Sequence, residues 1–416
     1  MQQIVILGGG AAGLAAALAA AQSAPAGAVR VTVLDRNPRC GKKLLATGNG
    51  RCNLDNTGIA PEQYFTADPA ALRPLLAAVD AAAPLEWFAA LGLYTRTDEA
   101  GRVYPYSNQA ADVLALLEGH LARLGVEVRT GCTVQTLSQS RGGYVVLFSN
   151  ADGADESLRA DAVVCAMGGS AGPQFGTDGF GTRFAAQCGG KLEPLYPCLT
   201  ALQTAKPNRS LAGIRAKAAA TLLDLDRHCT VAVENGEVQF TDFGLSGPEA
   251  FTLSRAAATG GEGQELALDF FREYGDSVLL DMLQEKREKL PELAAEDLFA
   301  GMLQSRLGRM IVKRAGLKYQ TKLKELTDEQ LLACVKTGKW FTLEVTGVMG
   351  FDSAQVTAGG AKTREFDART LESTKNPGLF VCGEVLDVDG DCGGFNLQWA
   401  WSSGFLAGKL GEGEYA

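Results

Sequence analysis

The sequence predicts an α/β fold in which the first and last segments form one domain around an inserted strand-rich domain and a helical subdomain. Three observations carry that reading. A short apolar strand runs directly into a glycine turn and an alanine-rich helix (QIVILGGGAAGLAAALAAA, 3–21). A second strand, VRVTVLD (29–35), ends on an acid. Near the far end, GLFVCGE (378–384) again runs a buried strand into glycine and acid, and Gly393 and Gly394 then open a closing helix.

Ile4–Leu7 is apolar throughout, as a parallel strand buried on both faces must be. Gly8, Gly10 and Gly13 follow in G-x-G-x-x-G spacing. Gly8 permits a tight turn, Gly10 lets a diphosphate approach the backbone, and Gly13 lets the helix pack closely on the strand. A diphosphate would then lie on the helix N-terminus, where free N–H groups and the dipole favour negative charge. Asp35 lies 22 residues beyond Gly13, where a carboxylate meets a ribose hydroxyl, and an acid there favours a free 2′-hydroxyl over a 2′-phosphate. The glycine spacing alone is weak evidence. Strand, turn, helix and acid together predict a Rossmann-type adenine dinucleotide site.

At 416 residues the chain has room for two or three domains. Its net charge of −9 argues against nonspecific nucleic-acid binding and against anionic membrane surfaces. Ile4–Ala21 holds eighteen uncharged residues, but three consecutive glycines interrupt it and no Lys or Arg precedes it. No membrane segment is expected. Ten cysteines stand without a C-x-x-C pair, and His120 and His228 are the only histidines, so no metal site is expected. Scattered thiols in a chain read as lacking a signal peptide predict a reduced, cytoplasmic setting.

Along the chain, RNPRCGKKLLATGNGRCNL (36–54) carries five basic residues and no acidic one, with a backbone-exposing turn at Gly48–Gly50. It predicts a loop wrapped on cofactor phosphates. Helical spacing over 68–91 predicts two helices broken at Pro84, and another helix runs from near Gln109 to Gly125. Strands are expected over 126–134, 143–149 and 162–166, the last running into glycines. GPQFGTDGFGTRFAAQCGG (172–190) predicts a glycine-rich loop opening a helix. Short strands such as AAATLLDL and VAVENGEVQF mark 191–272. Region 273–344 reads as helical (DSVLLDMLQEKREKL, AAEDLFAGMLQSRLGRMIVKRAG, then TDEQLLACVKTG with Thr327 as N-cap) before the return strand WFTLEV. The predicted division is therefore 1–190 with 345–416, then 191–272 and 273–344.

GGGAAGLAAA, GKKLLATGNGRCN, GRVYPYS, FTDFGLSGP and GEVLDVDGDCGGFNLQWAWSSG extend over essentially the whole chain. They resemble the motifs of the HI0933-like, or YhiN/BaiN-like, flavoproteins. The resemblance implies noncovalent FAD in a Rossmann-type domain of disulfide-reductase-like topology. It places Gly8, Gly10, Ala12 and Gly13 on the pyrophosphate, Asp35 and Arg36 near the adenosine ribose, and Val134 on adenine. It places Lys43, Gly50, Arg51 and Cys52 alongside the flavin and Gly168 and Gly169 beside the dinucleotide. Gly383, Glu384, Gly394, Asn396 and Leu397 would hold the ribityl chain and ring. A helix N-terminus at the flavin N1/O2 edge would stabilise its reduced form.

Members of the family are similar to bile-acid-pathway reductases of 3-oxo-Δ4 steroids and to aminoacetone oxidases. The expected activity is NAD(P)H-driven reduction of an activated C=C bond in a small molecule. No second G-x-G-x-x-G appears, so NAD(P)H would visit transiently. The alternatives are an amine oxidase and a flavin-binding RNA-modification or regulatory protein. The footprint of the latter would be the basic run from Lys286 through Arg314, Lys318 and Lys322, which reads more simply as a solvated helical face.

Hydride transfer often needs a proton donor or a polarising group across the substrate. His120 sits on a helix that reads as structural, and His228 follows charged residues. Candidates therefore come from loops that the resemblance places near the flavin: Tyr104 and Tyr106 in GRVYPYS, Arg51, and Asp242. Tyrosine donates through its hydroxyl, and arginine polarises a carbonyl without titrating. Asp242 stands where many relatives carry histidine, so a histidine role does not transfer to it. Ser246 with Pro248 reads as a helix N-cap and first turn. No C-x-x-x-x-C follows the first helix, which excludes the dithiol of disulfide reductases.

Overall fold

The computed structural model describes residues 1–25, 27–78 and 83–411. The chain forms two compact units, Met1–Tyr196 with Gln355–Ala416, and Pro197–Ala354 between them. Each unit has its own buried hydrophobic cluster.

In the first unit the strand Gln2–Leu7 (β1) is the centre of a parallel five-stranded sheet. Ala162–Cys165 and then Leu379–Val381 flank it on one side, and Val29–Asp35 (β2) and then Glu127–Thr130 on the other. Ile4 to Leu7 are almost wholly buried because a strand lies on each side and because a helix (11–23) and the antiparallel strands of 133–160 pack against the sheet. The helix Ala11–Ser23 (α1) is buried from Ala12 to Ala20, apolar all round rather than on one stripe. Its alanines admit the closing helix Phe395–Gly408 at backbone distance. A Cβ on Gly404 would lie 2.2 Å from the Ala12 carbonyl oxygen, and one on Gly408 2.3 Å from that of Ala16. Small residues on both helices thus weld the end of the chain to its beginning.

Several expectations differ in detail. The strand expected over 126–134 is two strands, because Gly131 takes φ +70° and turns the chain. Glu127–Thr130 joins the parallel sheet, whereas Thr133–Ser140 starts an antiparallel sheet with Gly143–Ser149 and Asp155–Ala160. Helices Pro69–Ala78 and Ala83–Ala90 are both present; Pro84, where the break is expected, stands in the first turn of the second, and 79–82 lie outside the described residues. Helix Ala110–Arg123 follows with Gln109 at its N-cap.

The second unit closes six antiparallel strands into a barrel. The order is Leu202–Thr204, Gly244–Ser246, Cys229–Phe240, Arg215–Asp224, Gln264–Asp269 and Phe341–Val348, the last pairing with the first. The helices Asp276–Lys289, Ser305–Arg314 and Asp328–Lys339 lie between its last two strands in sequence, and their apolar faces share one core with the barrel. The expected separation of a strand-rich segment (191–272) from a helical one (273–344) is thus replaced by one unit. The long helix expected over 294–316 is a single turn at Ala295–Asp297 and the helix Ser305–Arg314, because Gly301 takes φ +82° between them. Thr327 caps its helix, its hydroxyl accepting from the Gln330 N–H. Ser246 does not cap one: it ends a strand, and Gly247 is the N-cap of Pro248–Thr259.

Candidate functional site

β1 delivers the chain to Gly8 at the carboxyl edge of the sheet, where open α/β sheets bind ligands. Gly8 has φ +103°, and a Cβ there would lie 2.4 Å from the Ala166 carbonyl oxygen. One on Gly13 would lie 1.8 Å from the Gly8 oxygen, so both positions admit only glycine. Gly10, by contrast, has nothing within 4 Å of an added Cβ. It borders a cavity of about 380 Å³. Gly10 is also the N-cap of α1, and no side chain caps the helix N–H groups there. An open glycine, free N–H groups and a cavity form a cradle suited to a diphosphate.

Gly8, Gly10, Asp35, Arg36, Lys43, Val134, Gly168, Gly169 and Glu384 all line this cavity, brought together from five parts of the sequence. Asp35, at the end of β2, is 8% exposed. Its Oδ2 accepts from the Gly9 N–H at 2.6 Å and its Oδ1 from the Asn37 N–H at 2.7 Å, which fixes the carboxylate at the rim of the glycine turn. Arg36 pairs with Asp178 at 2.9 Å. Burial would raise the Asp178 carboxyl, but the Arg36 hydrogen bond, the Phe180 N–H and the charges of Arg36 and Arg183 hold it below the usual range.

Lys43 Nζ lies 2.8 Å from Glu384 Oε2, and Glu384 Oε1 accepts from the Thr357 N–H at 2.7 Å. Thr357 is 1% exposed, and its hydroxyl accepts from the N–H groups of Ser170 at 2.8 Å and Ala171 at 2.9 Å. A Cβ on Gly169 would lie 2.5 Å from that hydroxyl and 3.0 Å from Glu384 Oε1. The acid is therefore clamped from two sides.

The other expected cofactor residues are not on this cavity wall. Ala12 and Gly13 lie in α1 beneath it. Gly50 and Arg51 end the turn Leu44–Gly50. Cys52 is fully buried, and burial, only partly offset by a hydrogen bond with Thr47, pushes its thiol up to about 12. Its place is that of a packed, neutral thiol. Gly383 lies against Ala12, where a Cβ would come within 2.8 Å of the alanine methyl. Gly394 is the N-cap of the closing helix, again with no side-chain cap. Asn396 Oδ1 accepts from the Gly390 N–H at 2.8 Å, and its Nδ2 donates to the oxygens of Gly390 and Asp391, bracing the DVDGD loop. Leu397 packs half-buried against the core.

Of the catalytic candidates, Arg51 and Tyr104 come together. The guanidinium carbon sits 4.8 Å from the ring centroid, and Arg51 Nε donates to the Gly48 oxygen at 3.1 Å. Tyr104 is only 5% exposed beneath it. Tyr106 is 64% exposed with Arg96 stacked on its ring, and Asp242 is exposed in the second unit. Among the described residues no cluster of His, Cys, Asp and Glu could hold a metal, and no helix is long and apolar enough to cross a membrane.

The sequence reading missed Asn37, Thr177, Asp178 and Thr357. Asn37, Thr177 and Asp178 line the cavity, and Thr357 holds its acid. A usable signal for Thr357 stood in QVTAGG (355–360), a threonine before paired glycines after the inserted unit.

The family description HI0933-like protein Rossmann domain matches residues 2–410. The chain is 38% identical to the 3-dehydro-bile acid delta(4,6)-reductase of Clostridium scindens over 413 residues, 98% of each chain. It is 28% identical to a ribosomal RNA dihydrouridine synthase of Escherichia coli over 405 residues, covering 97% of this chain and 96% of that one. Among solved structures, the 3-ketosteroid delta1-dehydrogenase of Sterolibacterium denitrificans shares the fold with a TM-score of 0.51 at 14% identity, covering 98% of this chain and 99% of that one. The chain belongs to the HI0933-like family, as an FAD-dependent oxidoreductase.

Proposed function

We propose that the protein reduces a C=C bond conjugated to a carbonyl in a small organic substrate, with a reduced pyridine nucleotide as electron source. Steroid-like 3-oxo-Δ4 compounds, bile acids included, are the first candidates. One observation supports this most: the full-length similarity to two relatives whose named reactions share one bond change. A 3-dehydro-bile acid delta(4,6)-reductase saturates C=C bonds conjugated with a 3-oxo group, and dihydrouridine is uridine with its carbonyl-conjugated C5=C6 bond saturated. Both additions put a hydride on the carbon remote from the carbonyl and a proton on the nearer one.

The higher identity to the bile-acid relative favours a small molecule over RNA. So does the basic run, most of which is engaged within its own unit. Lys286 Nζ donates to the Ala300 oxygen at 2.6 Å, and Arg287 donates to Asp328 at 2.7 Å. Arg314 donates to the Thr342 oxygen at 2.8 Å and lies 3.7 Å over the Phe341 ring.

FAD, when bound, supplies the two-electron carrier. In this reading Gly8, Gly10 and the N-terminus of α1 hold its diphosphate, and Asp35 and Arg36 its adenosine ribose, with Val134 beside the adenine. Glu384, clamped by Lys43 and Thr357, holds the ribityl chain. The uncapped helix end at Gly394, with Asn396 and Leu397, faces the ring, where its dipole favours negative charge. Arg51 polarises the substrate carbonyl, and Tyr104 orients Arg51.

The test is anaerobic. Pre-reduced enzyme is mixed separately with a 3-oxo-Δ4 bile acid and with a uridine-containing RNA, and oxidised enzyme with simple amines. Flavin reoxidation by the steroid is expected. Reoxidation by RNA alone would transfer the reading to RNA modification, and bleaching by an amine would make the enzyme an oxidase.

A further inference from the structure

We infer that the ribbon of strands Thr95–Thr97 and Arg102–Pro105 is the docking surface for the pyridine nucleotide that reduces the flavin, an inference that rests on the reductase reading above. The ribbon pairs Thr95 with Pro105 and Arg96 with Tyr104. The Tyr106 N–H donates to the Tyr94 oxygen at 2.8 Å, which extends the pairing by one step. Tyr94 and Tyr106 are therefore cross-strand neighbours on one face. They are 82% and 64% exposed; Tyr94 leads into the edge strand of the sheet and Tyr106 leaves its central one. Arg96, two residues from Tyr94, shares their face. Its guanidinium carbon lies 4.1 Å from the Tyr106 centroid and it donates to the Tyr106 oxygen, so the ring is held in place. Two solvent-facing rings beside a cation suit a flat aromatic base that carries phosphate.

The location suits the donor. On the other side of the ribbon, Asp55–Asn56 pairs with Arg102–Val103. Asn56 Nδ2 donates to the Gly393 oxygen at 2.9 Å, next to the uncapped N-terminus of the closing helix. The platform therefore stands on the same three-stranded sheet as the strand that touches the helix end assigned to the flavin ring, towards the other end of Arg102–Pro105. The sequence has one G-x-G-x-x-G turn, which the reading above gives to FAD, so a second dinucleotide needs another place to bind. Its base stacks on the tyrosines and its diphosphate meets Arg96. The C4–H bond of the donor breaks, the hydride carries its electron pair to the flavin, and the oxidised pyridinium leaves.

The experiment is anaerobic stopped-flow reduction of FAD-loaded enzyme by NADH and, separately, NADPH. Tyr94→Ala and Tyr106→Ala are each expected to raise the half-saturating donor concentration about tenfold while the limiting rate stays within about threefold. Tyr94→Phe and Tyr106→Phe should behave as wild type, since stacking needs the ring and not the hydroxyl. Added salt should weaken the wild type more than Arg96→Gln. Unchanged half-saturation in the alanine variants overturns the inference, as does a loss shared by the phenylalanine variants. Alanine variants that lose only oligouridylate binding overturn it in favour of RNA. A wild type that neither nucleotide reduces also overturns it; reoxidation of dithionite-reduced enzyme by a 3-oxo-Δ4 steroid would then leave the reductase reading standing.

Discussion

Thr357 ties together two loops that are more than two hundred residues apart in sequence, through its own N–H and its hydroxyl. Thr357→Val keeps the shape but leaves the N–H groups of Ser170 and Ala171 without an acceptor, at about 1–3 kcal/mol for each buried group. We expect FAD binding, followed by calorimetric titration, to weaken at least tenfold (about 1.4 kcal/mol). Thr357→Ser should restore it, and equal affinities in all three proteins would remove Thr357 from the clamp. The cysteines make an opposite case, of groups that burial silences. Cys40, Cys52 and Cys165 are buried, and desolvation drives each thiol up to about 12. Cys229 is exposed. At pH 8 a thiol reagent followed by peptide mapping should label Cys229 first and these three only on unfolding. Early labelling of Cys52 would contradict its role as a packing residue.

At the scale of elements, the two-residue strand Asp55–Asn56 carries a titration. Asp55 is 1% exposed behind Gly394, whose Cβ, if present, would lie 2.3 Å from the Asp55 oxygen. Burial raises its carboxyl to about 7, against the pull of the Asn56 N–H at 2.7 Å. An unfolded aspartate titrates near 3.8. Between those values the folded chain holds a proton that the unfolded chain has lost, so this group's contribution to stability falls as pH rises from about 4 to 7. Its full size is about 4 kcal/mol. Asp55→Asn should match the wild type at acid pH and gain on it through that window, measured by urea denaturation at several pH values. Parallel pH profiles would rule the effect out. Elements were legible in the sequence where their cause is local. β1, the glycine turn and α1 follow from neighbouring residues, as does the Thr327 cap. The split at Gly131 was hidden because both halves alternate alike, and the helix break at Gly301 because apolar spacing continues across it.

At the scale of the whole molecule, what lay hidden was long-range. Phe341–Val348 reads as a strand, but its pairing with Leu202–Thr204, which makes barrel and helices one unit, is tertiary. The same holds for Thr357, whose partners at 170, 171 and 384 are distant in sequence. The cavity wall was legible through Gly8, Asp35 and Glu384 because each follows a strand at a recognisable spacing. The purified protein should be yellow and release FAD on denaturation. Adding FAD to apoprotein should slow hydrogen exchange in 8–13, 35–43 and 166–171, segments that border the cavity. Unchanged exchange there would place the cofactor elsewhere.

The parallel sheet takes its central strand from residues 2–7 and its edge from 379–381, and α1 packs on a helix that ends at 408. A ribosome adding about 5–20 residues per second needs about 20–80 s to pass between those strands. β1 meets its neighbours Val29–Asp35 and Ala162–Cys165 well before that, but α1 waits for the closing helix, whereas every strand of the barrel has been made by residue 348. The barrel therefore has all its strands before the sheet gains its last one and α1 its covering helix. Until then the face of α1 that the closing helix covers stays open to water.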